Sequence, residues 1–206
     1  MKILITSYSF LPRIGGVENV SKLLAEGFTE KSCQVKVLTD TIEQSKDNYS
    51  YPYEVIRKPK IKDIYNAILW SDLIFQNNIS LRYIWLNLFI RKPSVVTFHI
   101  WLDSKNVFIK IFKTIISKTF NKRLVVSNSL QKKLPFKTIL IENPYDNEIF
   151  TNSILEKRDL KSLVFVGRLE KSKGCQTIIN ALGELRKKNK LYNLTVIGEG
   201  SFKKNL

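Results

Sequence analysis

Val164-Phe165-Val166-Gly167-Arg168-Leu169-Glu170-Lys171-Ser172-Lys173-Gly174 reads as a buried strand ending at a glycine, a loop with two cations, and the start of a helix. The helix that follows repeats Cys175, Ile178, Ile179, Leu182 and Leu185 on one face, and Leu194–Ile197 reads as a further strand. Strand, glycine corner and helix in that order make the repeating unit of a parallel sheet. The same unit opens the chain. Lys2–Thr6 is an apolar run of strand length, residues 7–16 form a loop, and Val17, Val20, Leu23, Leu24 and Phe28 recur at helical spacing. Between the two, Gln34–Leu38, Leu73–Gln76, Ser94–Thr97, Arg123–Val126 and Thr138–Ile141 are short runs rich in Ile, Val, Leu or Phe, as strands buried on both faces require. The pattern predicts an α/β, doubly wound parallel domain over residues 1–152. A second α/β unit, with two strands and one helix, is expected over 153–206, after the polar stretch Thr151–Ser162.

Composition narrows the class of function. The 206 residues are 44% hydrophobic, enough for a buried core, and 34 Lys and Arg against 18 Asp and Glu give a formal charge of +16. So basic a chain is drawn to something anionic: phosphate-bearing ligands, acidic lipid or nucleic acid. Nucleic acid is disfavoured, because no helix-turn-helix, RNP or zinc pattern occurs. Cys33 and Cys175 have no metal-ligand spacing and build no disulfide framework, so a reducing cytoplasm is the expected compartment. The N-terminal apolar run is too short for a signal peptide, and Tyr83–Ile90 is too short to span a bilayer.

Two places carry candidate chemistry. Gly15-Gly16-Val17-Glu18 lies at a strand-to-helix corner, where glycines admit a close ligand and free N–H groups attract an anion. A plain tight turn explains it as well, since the full dinucleotide fingerprint and a Walker lysine are missing. In the second place, Arg168 and Lys173 follow a strand end, where open α/β sheets bind ligands. An arginine fork suits phosphate oxygens and a lysine adds a mobile charge, although two solvated surface cations would read the same way by composition alone.

Taken in order, Pro12–Glu18 (PRIGGVE), Thr97–His99 (TFH), Val126–Leu130 (VSNSL), Glu142–Asp146 (ENPYD) with Phe150, Gly167–Gly174 (GRLEKSKG) and Val196–Gly200 (VIGEG) resemble family 4 of the GT-B glycosyltransferases. These are bacterial enzymes of surface polysaccharide and glycolipid synthesis. The resemblance implies two Rossmann-like domains and transfer of a hexose, with retention, from a UDP- or GDP-sugar to a saccharide or lipid-linked acceptor. By the same resemblance Gly15 and Gly16 approach the donor diphosphate, Arg168 and Lys173 grip it, and His99 faces the donor sugar. On spacing alone, a single histidine at a strand end reads as a satisfied structural residue. No cofactor and no metal are expected: two cations can neutralise the departing nucleotide, and no Asp-x-Asp signature occurs. Two departures stand out. Asn143-Pro144 replaces the usual Asn-Gly and stiffens that turn, and the Glu-x7-Glu donor motif is absent. The second domain is therefore expected to be truncated and this chain to transfer sugar weakly or not at all; a catalytically dead remnant or a nucleotide-sugar-binding module is the alternative.

Residues 104–120 carry a separate signal. Val107, Phe108, Ile111, Phe112, Ile115 and Ile116 make a wide apolar helix face ringed by Lys105, Lys110, Lys113 and Lys118, and from Asp103 to Lys137 nine basic residues meet one acid. Such a helix lies on an anionic membrane surface, or packs its apolar side on the sheet and leaves a basic edge in water. The first alternative would make the protein cytoplasmic and peripheral on the inner face of the cell membrane.

Overall fold

The computed structural model describes residues 1–42, 50–102, 106–151 and 159–206. Lys105 and the expected boundary at residue 152 lie outside the described residues. Contacts divide the chain into two compact units, Met1–Phe150 and Thr151–Leu206.

In the first unit, seven strands alternate with helices: β1 (Lys2–Ser7), α1 (Gly16–Glu30), β2 (Gln34–Thr39), β3 (Glu54–Arg57), α2 (Ile61–Trp70), β4 (Leu73–Asn77), α3 (Leu81–Ile84), α4 (Asn87–Ile90), β5 (Ser94–Phe98), α5 (Val107–Thr119), β6 (Lys122–Val125), α6 (Asn128–Gln131) and β7 (Ile139–Leu140). They pair in the order β3-β2-β1-β4-β5-β6-β7, and each pairing is parallel. This is the doubly wound, Rossmann-like sheet that the sequence predicts. Its strand order reverses between β1 and β4, which is where such folds open a crevice. The alternation along β1 shows why both faces are covered. Ile3 and Ile5 pack with Phe10, Ala25 and Phe75 in one layer, while Leu4 packs with Leu38, Ile64 and Ile68 in the other. Helix α1 closes the first layer and α2 the second. A third cluster joins Val96, Phe98 and Val125 to Ile116 and Phe120 at the far side of the sheet.

Strand β3 and helix α2 are absent from the sequence reading. Glu54-Val55-Ile56-Arg57 is a four-residue edge strand with no fully buried position, so it lacks the apolar run that marks the others. Helix α2 carries an ordinary helical period in Ile64, Ala67 and Ile68.

The second unit pairs β8 (Ser162–Val166) with β9 (Asn193–Ile197) in parallel, joined by α7 (Cys175–Lys187). Leu169 and Cys175 are buried in it. The helix half-buries Ile178, Ile179, Leu182 and Leu185, whereas Val164, Val166 and Ile197 stay exposed. One face of this sheet is thus covered and the other bare.

Candidate active site

All strands of the first unit run the same way, so the loops after β1, β4 and β5 meet at one edge. The loop after β1 is held down before it reaches α1. Phe10 is fully buried, its N–H donates to Thr41 Oγ1 at 2.9 Å, and Arg57 donates to the Leu11 carbonyl at 2.8 Å. Arg57 comes from the strand that sequence reading missed. The loop delivers Gly15 as the N-cap of α1, in an extended conformation (φ −179°) open to any residue. A β carbon on Gly15 would overlap the Glu18 carboxylate, whereas one on Gly16 would project into open space. Glu18 therefore lies back over the helix start, where its charge favours the free N–H groups. An incoming anion would have to displace that carboxylate.

His99 follows β5 at the same edge and is half-buried. Its Nε2 lies 2.6 Å from Oδ1 of Asn77, the last residue of β4. Asn77 in turn donates to Ser21 Oγ at 2.7 Å and to the Val17 carbonyl at 3.1 Å, both on α1. Ser21 reaches Ser7 at the end of β1 over 2.9 Å. One buried network thus ties the histidine to the glycine-led start of α1 across the switch point. Burial holds the His99 pKa below its ordinary value, because the imidazolium loses hydration there. Asn77, Ser21 and Ser7 were not singled out from sequence. The usable signal was Gln76-Asn77, two polar residues closing an otherwise apolar strand.

In the second unit, Gly167 (φ 159°) comes directly after β8 and Arg168 follows at once. Lys173 closes a single 3₁₀ turn, and Gly174 (φ 78°) caps α7 without any side-chain hydrogen bond. Both cations therefore stand in one loop between a strand's carboxyl end and a helix start with no acid in its first turn. Arg168 is mostly exposed and pairs with Glu170 at 3.1 Å. A side chain on Gly198 would overlap the Gly167 carbonyl, so the loops after β8 and β9 pass backbone to backbone. The gap beside them is lined by Leu169, Ile179, Val196, Gly198, Glu199 and Lys203. A helix start, a guanidinium and an ammonium on one loop are groups that can attract an anion.

Residues 146–206 match the model of the family described as glycosyl transferases group 1. Gly167, Arg168, Lys173 and Gly174 all fall inside the group 1 match. Solved structures resemble the whole chain at low identity. One is TarM of S. aureus in a complex that includes UDP, 8% identical over 99% of this chain and 73% of that one, with TM-score 0.72. The apo lipopolysaccharide outer core galactosyltransferase WaaB is 17% identical over 100% of this chain and 63% of its own, with TM-score 0.64. Sucrose-phosphate synthase from Thermosynechococcus elongatus is 16% identical over 96% and 70%, with TM-score 0.62. These likenesses establish the GT-B type of fold. No curated protein matches the sequence.

Proposed function

We propose that the protein takes part in hexosyl transfer, with retention, from a UDP- or GDP-sugar to a saccharide or lipid-linked acceptor. The observation that carries this reading is the pair Arg168 and Lys173 on the loop into α7, inside the segment that matches the group 1 family. In transfer, the bond from the anomeric carbon to the diphosphate breaks and negative charge collects on the departing nucleotide. Fixed cations and helix N–H groups stabilise that charge without reorganising. In this reading no metal or other cofactor is required, so chelation with EDTA leaves turnover intact. Once the Glu18 carboxylate swings away, Gly15 and Gly16 leave the start of α1 open to a polar ligand, and His99 offers a ring nitrogen to a sugar hydroxyl.

The test is to titrate the chain with UDP, GDP and their sugars by calorimetry, and to follow nucleotide release with saccharide and lipid acceptors. Saturable binding with release supports the transferase. Saturable binding without release supports a nucleotide-sugar-binding module, and failure of every nucleotide to bind ends both readings.

We also propose attachment to an anionic membrane surface through α5. This helix buries Ile116 and Ser117 against the sheet and turns Val107, Phe108, Ile111, Phe112 and Ile115 to solvent. Ile116, which sequence groups with these residues in one wide apolar face, belongs to the core. Among the described residues no helix is long and apolar enough to cross a membrane. An outward apolar stripe with Lys110 and Lys118 exposed beside it suits a helix lying in the headgroup layer. Replacing Lys110, Lys113 and Lys118 together by Glu should abolish sedimentation with vesicles rich in anionic lipid. Wild-type protein that stays in the supernatant would end the idea.

A further inference from the structure

Asn77 closes β4 and is 1% exposed. The two ends of its amide face different chemistry, and that difference orients it. Nδ2 lies 3.1 Å from the Val17 carbonyl and 2.7 Å from Ser21 Oγ. A backbone carbonyl only accepts, so the reversed amide would set two oxygens against each other with no proton between them. Oδ1 is therefore the end turned to His99, 2.6 Å from Nε2. An amide oxygen also only accepts, so Nε2 must carry a proton. The rest of the network agrees in direction. Ser7 donates to the Ser9 carbonyl at 2.7 Å, and the single Ser21 proton has Ser7 Oγ and the Val17 carbonyl each at 2.9 Å; with either acceptor, Ser21 Oγ is left to accept from Asn77. Donors thus run one way, from the imidazole through Asn77 to Ser21, whose own proton goes on to Ser7 or to the Val17 carbonyl. Both serines are fully buried, so their partners are protein groups.

We propose that Asn77 is a positioning residue that holds His99 as the Nε2–H tautomer and so leaves Nδ1 as an acceptor for a substrate hydroxyl. Neutral imidazole has one proton, and when Nε2 keeps it the other nitrogen offers only a lone pair. Nδ1 has no hydrogen-bond partner among the described residues. An acceptor takes a sugar hydroxyl and repels a phosphoryl or carboxylate oxygen, so His99 does not share the anion-binding task of Arg168 and Lys173. The hydroxyl role rests on the transferase reading above. The tautomer stands on the geometry by itself.

The chain has a single histidine, so its ring can be read without assignment ambiguity. Long-range proton–nitrogen correlation spectra of the full chain with 15N-labelled histidine, recorded near pH 7.5, should show one neutral ring protonated at Nε2. Asn77→Ala should give a mixture of both tautomers, and Ser21→Ala, which leaves the histidine's own partner in place, a smaller admixture. A wild-type ring protonated at Nδ1, or at both nitrogens, overturns the proposal even if neither variant folds. An Asn77→Ala protein that folds and keeps the pure Nε2–H pattern overturns it too. UDP-glucose and GDP-mannose are then added. Calorimetric uptake with a shifted Nδ1 resonance supports the hydroxyl contact, and uptake with an unmoved Nδ1 overturns it. No uptake of either is a failure of the donor reading, distinct from the tautomer result.

Discussion

Arg168 and Lys173 are five residues apart, and the 3₁₀ turn between them sets both on one loop ahead of α7. Arg168→Ala and Lys173→Ala should each weaken nucleotide-diphosphate binding by about 1.5–3 kcal/mol, the scale of a hydrogen bond to a charged group. Calorimetry on the two variants measures this directly, and unchanged affinity would remove the residue concerned from the site. Arg168 first has to leave Glu170, but an exposed ion pair contributes little and does not offset the gain from a diphosphate. His99 yields a second expectation, this one about pH. Burial lowers its pKa below the ordinary 6.5, so the unfolded chain takes up a proton before the folded one does. The stabilisation is complete above 6.5 and is lost as pH falls through the lower folded value. Thermal unfolding of wild type between pH 8 and pH 5 should therefore lose stability on the acid side more steeply than His99→Gln does. Parallel curves would contradict the assignment.

At the scale of elements, α5 separates two kinds of apolar residue that sequence alone groups together. Ile116 is 2% exposed in the far-side core cluster, whereas Phe108 is 82% exposed. Ile116→Ala should cost about 2–5 kcal/mol in chemical unfolding, as expected for emptying a packed site. Phe108→Ser and Ile111→Ser should change stability by no more than about 0.5 kcal/mol, the usual range for surface positions. The same two substitutions should lower sedimentation with anionic vesicles, and added salt should weaken whatever binding the lysines supply. Equal destabilisation by all three would mean that the outer face is packed against something after all. Sequence periodicity had left this open, because an amphipathic pattern reports that a helix has an apolar face and says nothing of how much of it the neighbouring sheet can cover. Strand β3 shows the reverse limit: its four residues gain strand geometry from pairing with β2 and not from any pattern of their own.

At the scale of the whole molecule, the two units differ in how their sheets are covered. Strand β1 has helices on both faces and Ile3, Leu4 and Ile5 fully buried, while β8 leaves Val166 72% exposed. Native-state hydrogen exchange should accordingly find the slowest amides in β1, β4 and β5. Amides of β8 and β9 should open at free energies well below the global value, since few buried apolar contacts protect them. Uniform protection across residues 2–7 and 162–166 would refute the difference. Two parallel strands with one helix bury little apolar surface, and a pair of strands is marginal by itself.

The alternation of short buried runs with helix-period stretches was enough, from sequence, to specify a doubly wound parallel sheet and to set Arg168 and Lys173 on a strand-to-helix loop. These features are local, since side-chain period and glycine corners are decided by neighbouring residues. Ordered motifs also pointed to His99 and to Gly15-Gly16. The partners of that histidine were decided by the tertiary structure alone. Asn77, Ser21 and Ser7 lie on three different elements, 22, 78 and 92 positions from His99, and the placing of β4 between β1 and β5 brings them within its reach. The outward turn of α5 was settled in the same way. A helix has one apolar stripe in sequence, but which part of it meets the core depends on where the sheet lies beneath it.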